Sequence, residues 1–476
     1  MRRLLPLALL LLAPPLALAA GKDTVIPDAA LATATQLREA GLKDEVALAF
    51  TRDLTTQVGP RLAGSEADLK AREWTVARFK ALGFDKVWTE PVTFPKWQRR
   101  SERAAILAPY PQPLAATALG YSPATPAGGL SAEVVGFDTL EALKNADPAS
   151  VRGRIVYVGA RMHAKRSGED YGIGSSVRTF GPALASGKGA VAFLLRSAGT
   201  DQDRLPHTGV THFGDDVTPI PAAALAAPDA DQVERILAGG KPLKVELQLD
   251  CGFDGQYTGA NVIGEFTGSK RPDEYYLMGG HLDSWDLGTG AIDDAAGVAI
   301  ATAAARLIAD LPLRPARSIR VVAFANEESG LYGAKAYAEA HRKEIAKIVL
   351  GSESDLGADR IYLATASVKP EARAAIAQIA KTLEPLGVAY DASQPGSGGS
   401  DLSAIHKVGM AGLSLHQDAT RYFDLHHTAN DTFDKIDPAN LRQNVAVYAV
   451  VAYLAAQAQG DFGSRPGAFA NDKPRD

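Results

Sequence analysis

From residue 259 onward the chain alternates short apolar runs with longer Ala- and Leu-rich ones, and this alternation limits the possible folds more than any other feature. Residues 275–278, 318–325, 345–350 and 410–415 are short and apolar, as buried strands are. Residues 295–311, 370–386 and 438–457 are longer and read as helices. Strands alternating with helices of this length build βαβ units, so the expected fold class is α/β. It should be a mixed, mostly parallel sheet covered by helices on both faces.

Each expected strand leads to a loop rich in acid or histidine. Residues 279–297 read GGHLDSWDLGTGAIDDAAG, which puts His281 and Asp283 just past one strand and Asp293 and Asp294 just before a helix. Glu327 and Glu328 follow the second strand, Asp355 the third, and His426 and His427 lie beyond the fourth. Ligands of open α/β sheets bind outside the carboxyl ends of the strands, so these loops should converge. Imidazole and carboxylate together are zinc-ligand chemistry. Taken singly, each signal is weak. An Asp pair before a helix is an ordinary cap followed by an acid that complements the helix dipole, and a Glu pair after a strand is usually solvated. Neighbouring side chains on extended backbone point opposite ways, so the pattern leaves open which of Asp293 and Asp294, and which of His426 and His427, faces a metal.

Residues 1–20 begin with Arg2 and Arg3, continue through an apolar stretch at 4–12 and end in Ala17-Leu18-Ala19-Ala20, the order of a cleavable export signal. A periplasmic or secreted location is expected, and with Pro14 and Pro15 breaking the stretch, no membrane span. Loss of the two arginines takes the formal charge from −5 to about −7, which argues against a nucleic-acid partner. The lone Cys251 excludes an intramolecular disulfide and is expected to be a buried small hydrophobe.

Residues 29–58 read as helical, 59–65 (GPRLAGS) as a loop whose Ser65 caps a helix over 66–82, and 87–94 as a strand. From 124 to 251 short Val/Ile/Leu runs alternate with Gly, Pro and Ser, and no acid or His group repeats the strand-end placement. This stretch is expected to be an inserted, mostly-β domain with one helix near 229–237 that shapes substrate access. His163, His207 and His212 within it read as ordinary loop residues. The expected divisions are a signal at 1–20, the first part of the main domain at 21–123, the insert at 124–251, the rest of the main domain at 252–461 and a loose tail at 462–476.

HLDS at 281–284, GAIDDAAG at 290–297, NEESG at 326–330, SDLG at 354–357, HHTAND at 426–431 and GPRLAGS at 59–65 together resemble the zinc exopeptidases with two co-catalytic metals, metallopeptidase family twenty-eight. Within it the long HLDSWDLGTGAIDD form is most similar to the carboxypeptidase Q branch. The resemblance implies a zinc exopeptidase fold with a protease-associated-like insert, two Zn2+ per chain, a peptide substrate and a homodimer. It makes His281 and Asp355 ligands of one zinc, Glu328 and His427 ligands of the other, Asp293 the bridge and Glu327 the general base. Glu353 is a weaker alternative to Asp355. Two such zincs polarise a scissile carbonyl and acidify a water whose proton the base takes. Asp283 and Asp431 are expected to partner the ligand imidazoles.

The branch resemblance further favours an enzyme that needs a free substrate carboxylate. Backbone N–H groups at Ser397, Gly398 and Gly399 could converge on such an anion, and Arg421 and Tyr422 are further candidates. The competing readings are an aminopeptidase, a non-catalytic binding protein on the same scaffold, which retention of the ligand set disfavours, and a hydrolase of non-peptide amides.

Overall fold

The computed structural model describes residues 23–473; the expected export signal at 1–20 lies outside them. Four strands, Arg317–Phe324, Arg271–His281, Ile348–Glu353 and Gly412–Gln417, lie side by side in that order and run parallel. Strand Lys244–Phe266 joins antiparallel on one side and Ile361–Ser367 on the other, so the sheet is mixed. Helices Asp28–Gly41, Val46–Gln57, Ala296–Ala309 and Pro438–Gln457 bury one face, and Tyr332–His341 with Ser400–Val408 the other. The helix Ala296–Ala309 is apolar nearly all round because every residue from Ala296 to Ala305 is buried between the sheet and its neighbours.

Strands Lys86–Ala108 and Lys244–Phe266 pair antiparallel along most of their length. One end of this ribbon joins the main sheet at Arg317–Phe324; the other joins Leu130–Phe137. From there Leu130–Phe137, Ile155–Val158, Ala192–Arg196 and Ala222–Leu225 continue in parallel, and Ala116–Ala118 closes the edge antiparallel. Residue 251 therefore sits inside a ribbon strand, and Ala116–Ala118 precedes the expected start of the insert. Turn-rich composition marks where pairing partners change, not where the chain leaves a sheet.

Besides Tyr171–Gly187, which its composition does not suggest, the insert holds the expected helix at Ala227–Ala238. The first is rich in Gly and Ser, which normally discourage helix. Two of its glycines allow close packing: a Cβ on Gly181 would lie 2.4 Å from the Phe193 ring and one on Gly174 2.5 Å from Met162. The tail differs as well. Phe462 is buried, Ala411 N–H donates to Ser464 Oγ at 2.8 Å, and Phe469 stacks on His406, so residues 462–469 are docked by contacts no local pattern announces. Cys251 is buried in the core shared by ribbon and insert. Among the described residues no helix is long and apolar enough to cross a membrane.

Candidate metal centre

The four parallel strands all point their carboxyl ends at one place. His281 is the last residue of Arg271–His281, and a short kinked segment, Ala291–Ala295, in which Asp293 and Asp294 have non-helical backbone angles, then leads into helix Ala296–Ala309. Glu327 and Glu328 follow Arg317–Phe324, Asp355 follows Ile348–Glu353, and a helical turn Tyr422–Leu425 beyond Gly412–Gln417 delivers His426 and His427.

Asp293 lies at the middle of the cluster. His281 Nε2 is 2.9 Å from Asp293 Oδ1 and 3.4 Å from Asp355 Oδ1. His427 Nε2 is 3.4 Å from Asp293 Oδ2 and 2.9 Å from Glu328 Oε2. The opposite ring nitrogens are both committed to backbone carbonyls: His281 Nδ1 to Asp283 O at 3.0 Å and His427 Nδ1 to Thr208 O at 3.2 Å. A carbonyl can only accept, so each Nδ1 carries a proton and each Nε2 is the nitrogen left for a cation shared with the carboxylates around Asp293.

The Asp doublet separates cleanly, while both histidines of the His doublet stay near Asp293. Asp294 turns away, accepting from His281 N–H at 3.1 Å and Gly297 N–H at 3.0 Å, and a Cβ on Gly280 would lie 2.2 Å from its Oδ2. His426 stacks on His427 with ring centroids 3.4 Å apart, but its Nε2 stands farther from Asp293 Oδ2, at 3.7 Å. Two groups of ligand atoms come close enough to share an ion: His281, Asp293 and Asp355, and Asp293, His426 and His427. Glu328 joins the second through His427.

The electrostatics call for a cation. Burial alone would lower the pKa of His281, yet the charge of Asp355 and hydrogen bonds to Asp283 and Asp293 raise it well above the usual histidine range. His427 is likewise raised against its burial by Glu328 and Asp293. His426, without such partners, is lowered by burial and then by the charges of His427 and Arg178. Burial and the Asp355 charge push Glu353 up to about 8. Asp283 Oδ2, Glu328 Oε1 and Glu353 Oε1 are buried without a hydrogen-bond partner. Unpaired buried carboxylate oxygens are costly, and a borderline divalent ion that accepts imidazole nitrogen and carboxylate oxygen suits this set.

Residues scattered along the chain hold the cluster in shape. The buried Arg61 of the GPRLAGS loop donates to Leu282 O, Thr289 O and Gly290 O, clamping both ends of the 281–290 loop. Asp431 accepts from Ile292 N–H at 2.6 Å and Asp293 N–H at 3.2 Å, so it orients the Asp293 backbone and not the imidazole it was expected to meet. Asp283 meets His281 through its carbonyl, while its Oδ1 accepts from Glu327 N–H at 3.0 Å. From the insert, His207 Nδ1 donates to His426 O at 2.7 Å and Thr208 N–H to His427 O at 3.1 Å. Sequence reading passed over His207 because its partner lies 219 residues away. Its position directly after Leu205-Pro206 carries no chemical signal of its own.

Residues 261–452 match the description "Peptidase family M28". Carboxypeptidase Q of Xenopus laevis is 35% identical over 401 residues, spanning 84% of this chain and 83% of that protein. The chain belongs to peptidase family M28. A solved structure of this family, the Peptidase M28 precursor from Shewanella amazonensis SB2B, is 47% identical with a TM-score of 0.89 and covers 92% of this chain and 99% of its own. The zinc aminopeptidase of Bacillus subtilis, 18% identical with a TM-score of 0.63 over 89% of this chain and 98% of its own, shares the fold.

In this M28 peptidase a cavity of about 390 Å³ opens beside the cluster, lined by Asp293, Glu327, Glu328, Asp355, His426 and His427 among others. Gly398, Gly399 and Tyr422 also line it. Gly398 N–H already donates to Ser414 Oγ at 3.1 Å and Gly399 N–H to Ser397 Oγ at 3.5 Å, and Ser397 is fully buried, so the two glycine donors are engaged within the loop. Ser400 Oγ instead donates to Glu327 Oε1 at 2.8 Å. Arg421 is elsewhere: its guanidinium pairs with Asp359 through Nε and Nη2, is largely exposed and does not border the cavity. A nearby acid claimed it.

Proposed function

We propose that this chain is a zinc exopeptidase with two co-catalytic ions that hydrolyses dipeptides or short peptides with a free carboxylate, in line with the name carboxypeptidase Q borne by its relatives. The observation that carries this reading is the pair His281 and His427, each donating Nδ1–H to a carbonyl and turning Nε2 to Asp293. Asp293 would bridge the ions, with His281 and Asp355 completing one site and Glu328 and His427 the other. When bound, the ions polarise a scissile carbonyl and acidify a water. Glu327 takes the water's proton and returns it to the leaving amine. Ser400 Oγ on Glu327 Oε1 and Asp283 on Glu327 N–H hold that carboxylate at the cavity wall. Asp283 thus acts as a positioning residue, tying the base to His281.

A second reading, aminopeptidase, draws on Glu353, whose unpartnered Oε1 borders the same cavity and would suit a substrate ammonium. The reading also includes export, by way of residues 1–20. A panel of Ala-Ala, N-acetyl-Ala-Ala and Ala-Ala-amide, each with and without a chelator, decides. Chelator should abolish all cleavage, and acetylation should be tolerated better than amidation. Cleavage of the amide with rejection of the acetyl form would make the chain an aminopeptidase, and cleavage that survives complete metal removal would end the zinc reading.

A further inference from the structure

The main-sheet side of the cavity presents Asp293, Glu327, Glu328, Glu353 and Asp355, acids that would hold the ions or serve as base, and offers a substrate carboxylate no cationic side chain of its own. The cavity has one guanidinium on its wall. Arg178, from the insert helix Tyr171–Gly187, lines it beside Tyr171 and Val210 and is only 6% exposed. The other buried arginines among the described residues are held by an acid or by several carbonyls, Arg61 by three carbonyls, Arg196 by Asp231 and Arg317 by Glu274 with two carbonyls; Arg178 has neither in full. Its Nη2 donates to Tyr171 Oη at 2.8 Å, its Nη1 reaches Thr208 O only at 3.5 Å, and its Nε is buried without a partner. Among the described residues no carboxylate lies within salt-bridge distance of it. A buried cation held by one hydroxyl and one long carbonyl contact is under-satisfied, and a planar fork of donors matches a carboxylate.

Its placement is built in. Gly209, at φ +133°, leaves room for the guanidinium: a Cβ there would lie 2.5 Å from Arg178 Cζ. Thr208 O, the acceptor of Arg178 Nη1, is the same carbonyl that fixes His427 Nδ1. The guanidinium is therefore one carbonyl group away from a ring that faces Asp293. We infer that Arg178 is a substrate-binding residue that takes the free carboxylate of a dipeptide or short peptide, the insert thereby supplying the specificity of a site whose ligands all come from the main sheet. This deepens the exopeptidase reading and rests on it for the substrate class.

The test compares wild type, Arg178→Gln and Arg178→Lys with Ala-Ala and Ala-Ala-amide. In Arg178→Gln, kcat/KM for Ala-Ala should fall about 10- to 100-fold, mainly through KM, while the amide changes less than about threefold and zinc content is unchanged. Arg178→Lys keeps the charge without the fork and should fall between the two. Equal losses on both substrates, or none on either, would overturn the assignment. A binding arm is independent of turnover: calorimetric titration with N-acetylalanine and N-acetylalaninamide. Wild type should prefer the carboxylate and Arg178→Gln should lose that preference. A preference that persists in Arg178→Gln, or is absent from wild type, contradicts the role of Arg178 even if the chain were found to cleave no peptide at all.

Discussion

The cavity has two walls built by different means. The main-sheet wall is made of strand ends: His281, Glu327, Glu328 and Asp355 sit within a few residues of parallel strands, the His pair follows the fourth strand by way of the turn Tyr422–Leu425, and the sheet brings them together because parallel strands share one carboxyl edge. The insert wall is made of contacts between distant segments, His207 on His426, Thr208 on His427 and Arg178 on the cavity, none at a strand end of the main sheet. The first wall concentrates negative charge and holds metal. The second carries the cation and braces the first. Chemistry placed by the sheet is thus separable from recognition placed by packing between the two parts.

The largest effect is expected within the main-sheet wall, from Arg61, which is fully buried and donates to three carbonyls of the loop between His281 and Asp293. Arg61→Ala leaves those carbonyls without donors and should cost about 3–5 kcal/mol, read as a lowered thermal midpoint. A midpoint within a degree or two of wild type would mean that the loop is held by something else.

His207→Ala sharpens the comparison from the insert side. Without its hydrogen bond to His426 O the His pair loosens, and zinc affinity measured by competition with a chromophoric chelator should fall roughly 10- to 100-fold while the fold persists. Unchanged affinity would make the insert a wall only.

The smallest effect is a silence. Burial pushes the Cys251 thiol up to about 11, so at pH 8 it is almost entirely protonated, and iodoacetamide should label it far more slowly in the native protein than after unfolding. Rapid native labelling would show that the ribbon core opens.

Much of this was legible from sequence because the main sheet obeys a simple rule. Apolar runs at 318–325 and 345–350 predicted strands now seen at Arg317–Phe324 and Ile348–Glu353, and the helix at 438–457 is Pro438–Gln457. The choice between Asp293 and Asp294 was not legible, since it depends on hydrogen bonds to His281 and Gly297 backbone groups that fold against Asp294. Arg421 was chosen as a carboxylate partner for its nearness to the His pair in sequence, whereas Arg178 reaches the cavity from the insert and Arg421 pairs with Asp359. Helix Tyr171–Gly187 stayed hidden because its glycines, among them Gly181 packed on Phe193, depress helix propensity.

The central claim is that Glu328 holds metal while its neighbour Glu327 moves a proton. Zinc content and dipeptide turnover measured side by side on wild type, Glu327→Gln and Glu328→Ala test it directly. The account predicts two zincs per chain in wild type and Glu327→Gln, a roughly 10²- to 10⁴-fold loss of kcat in Glu327→Gln, and loss of metal in Glu328→Ala. If Glu327→Gln sheds zinc as fully as Glu328→Ala while its remaining metal-bound fraction stays active, the two roles are reversed and the account is wrong.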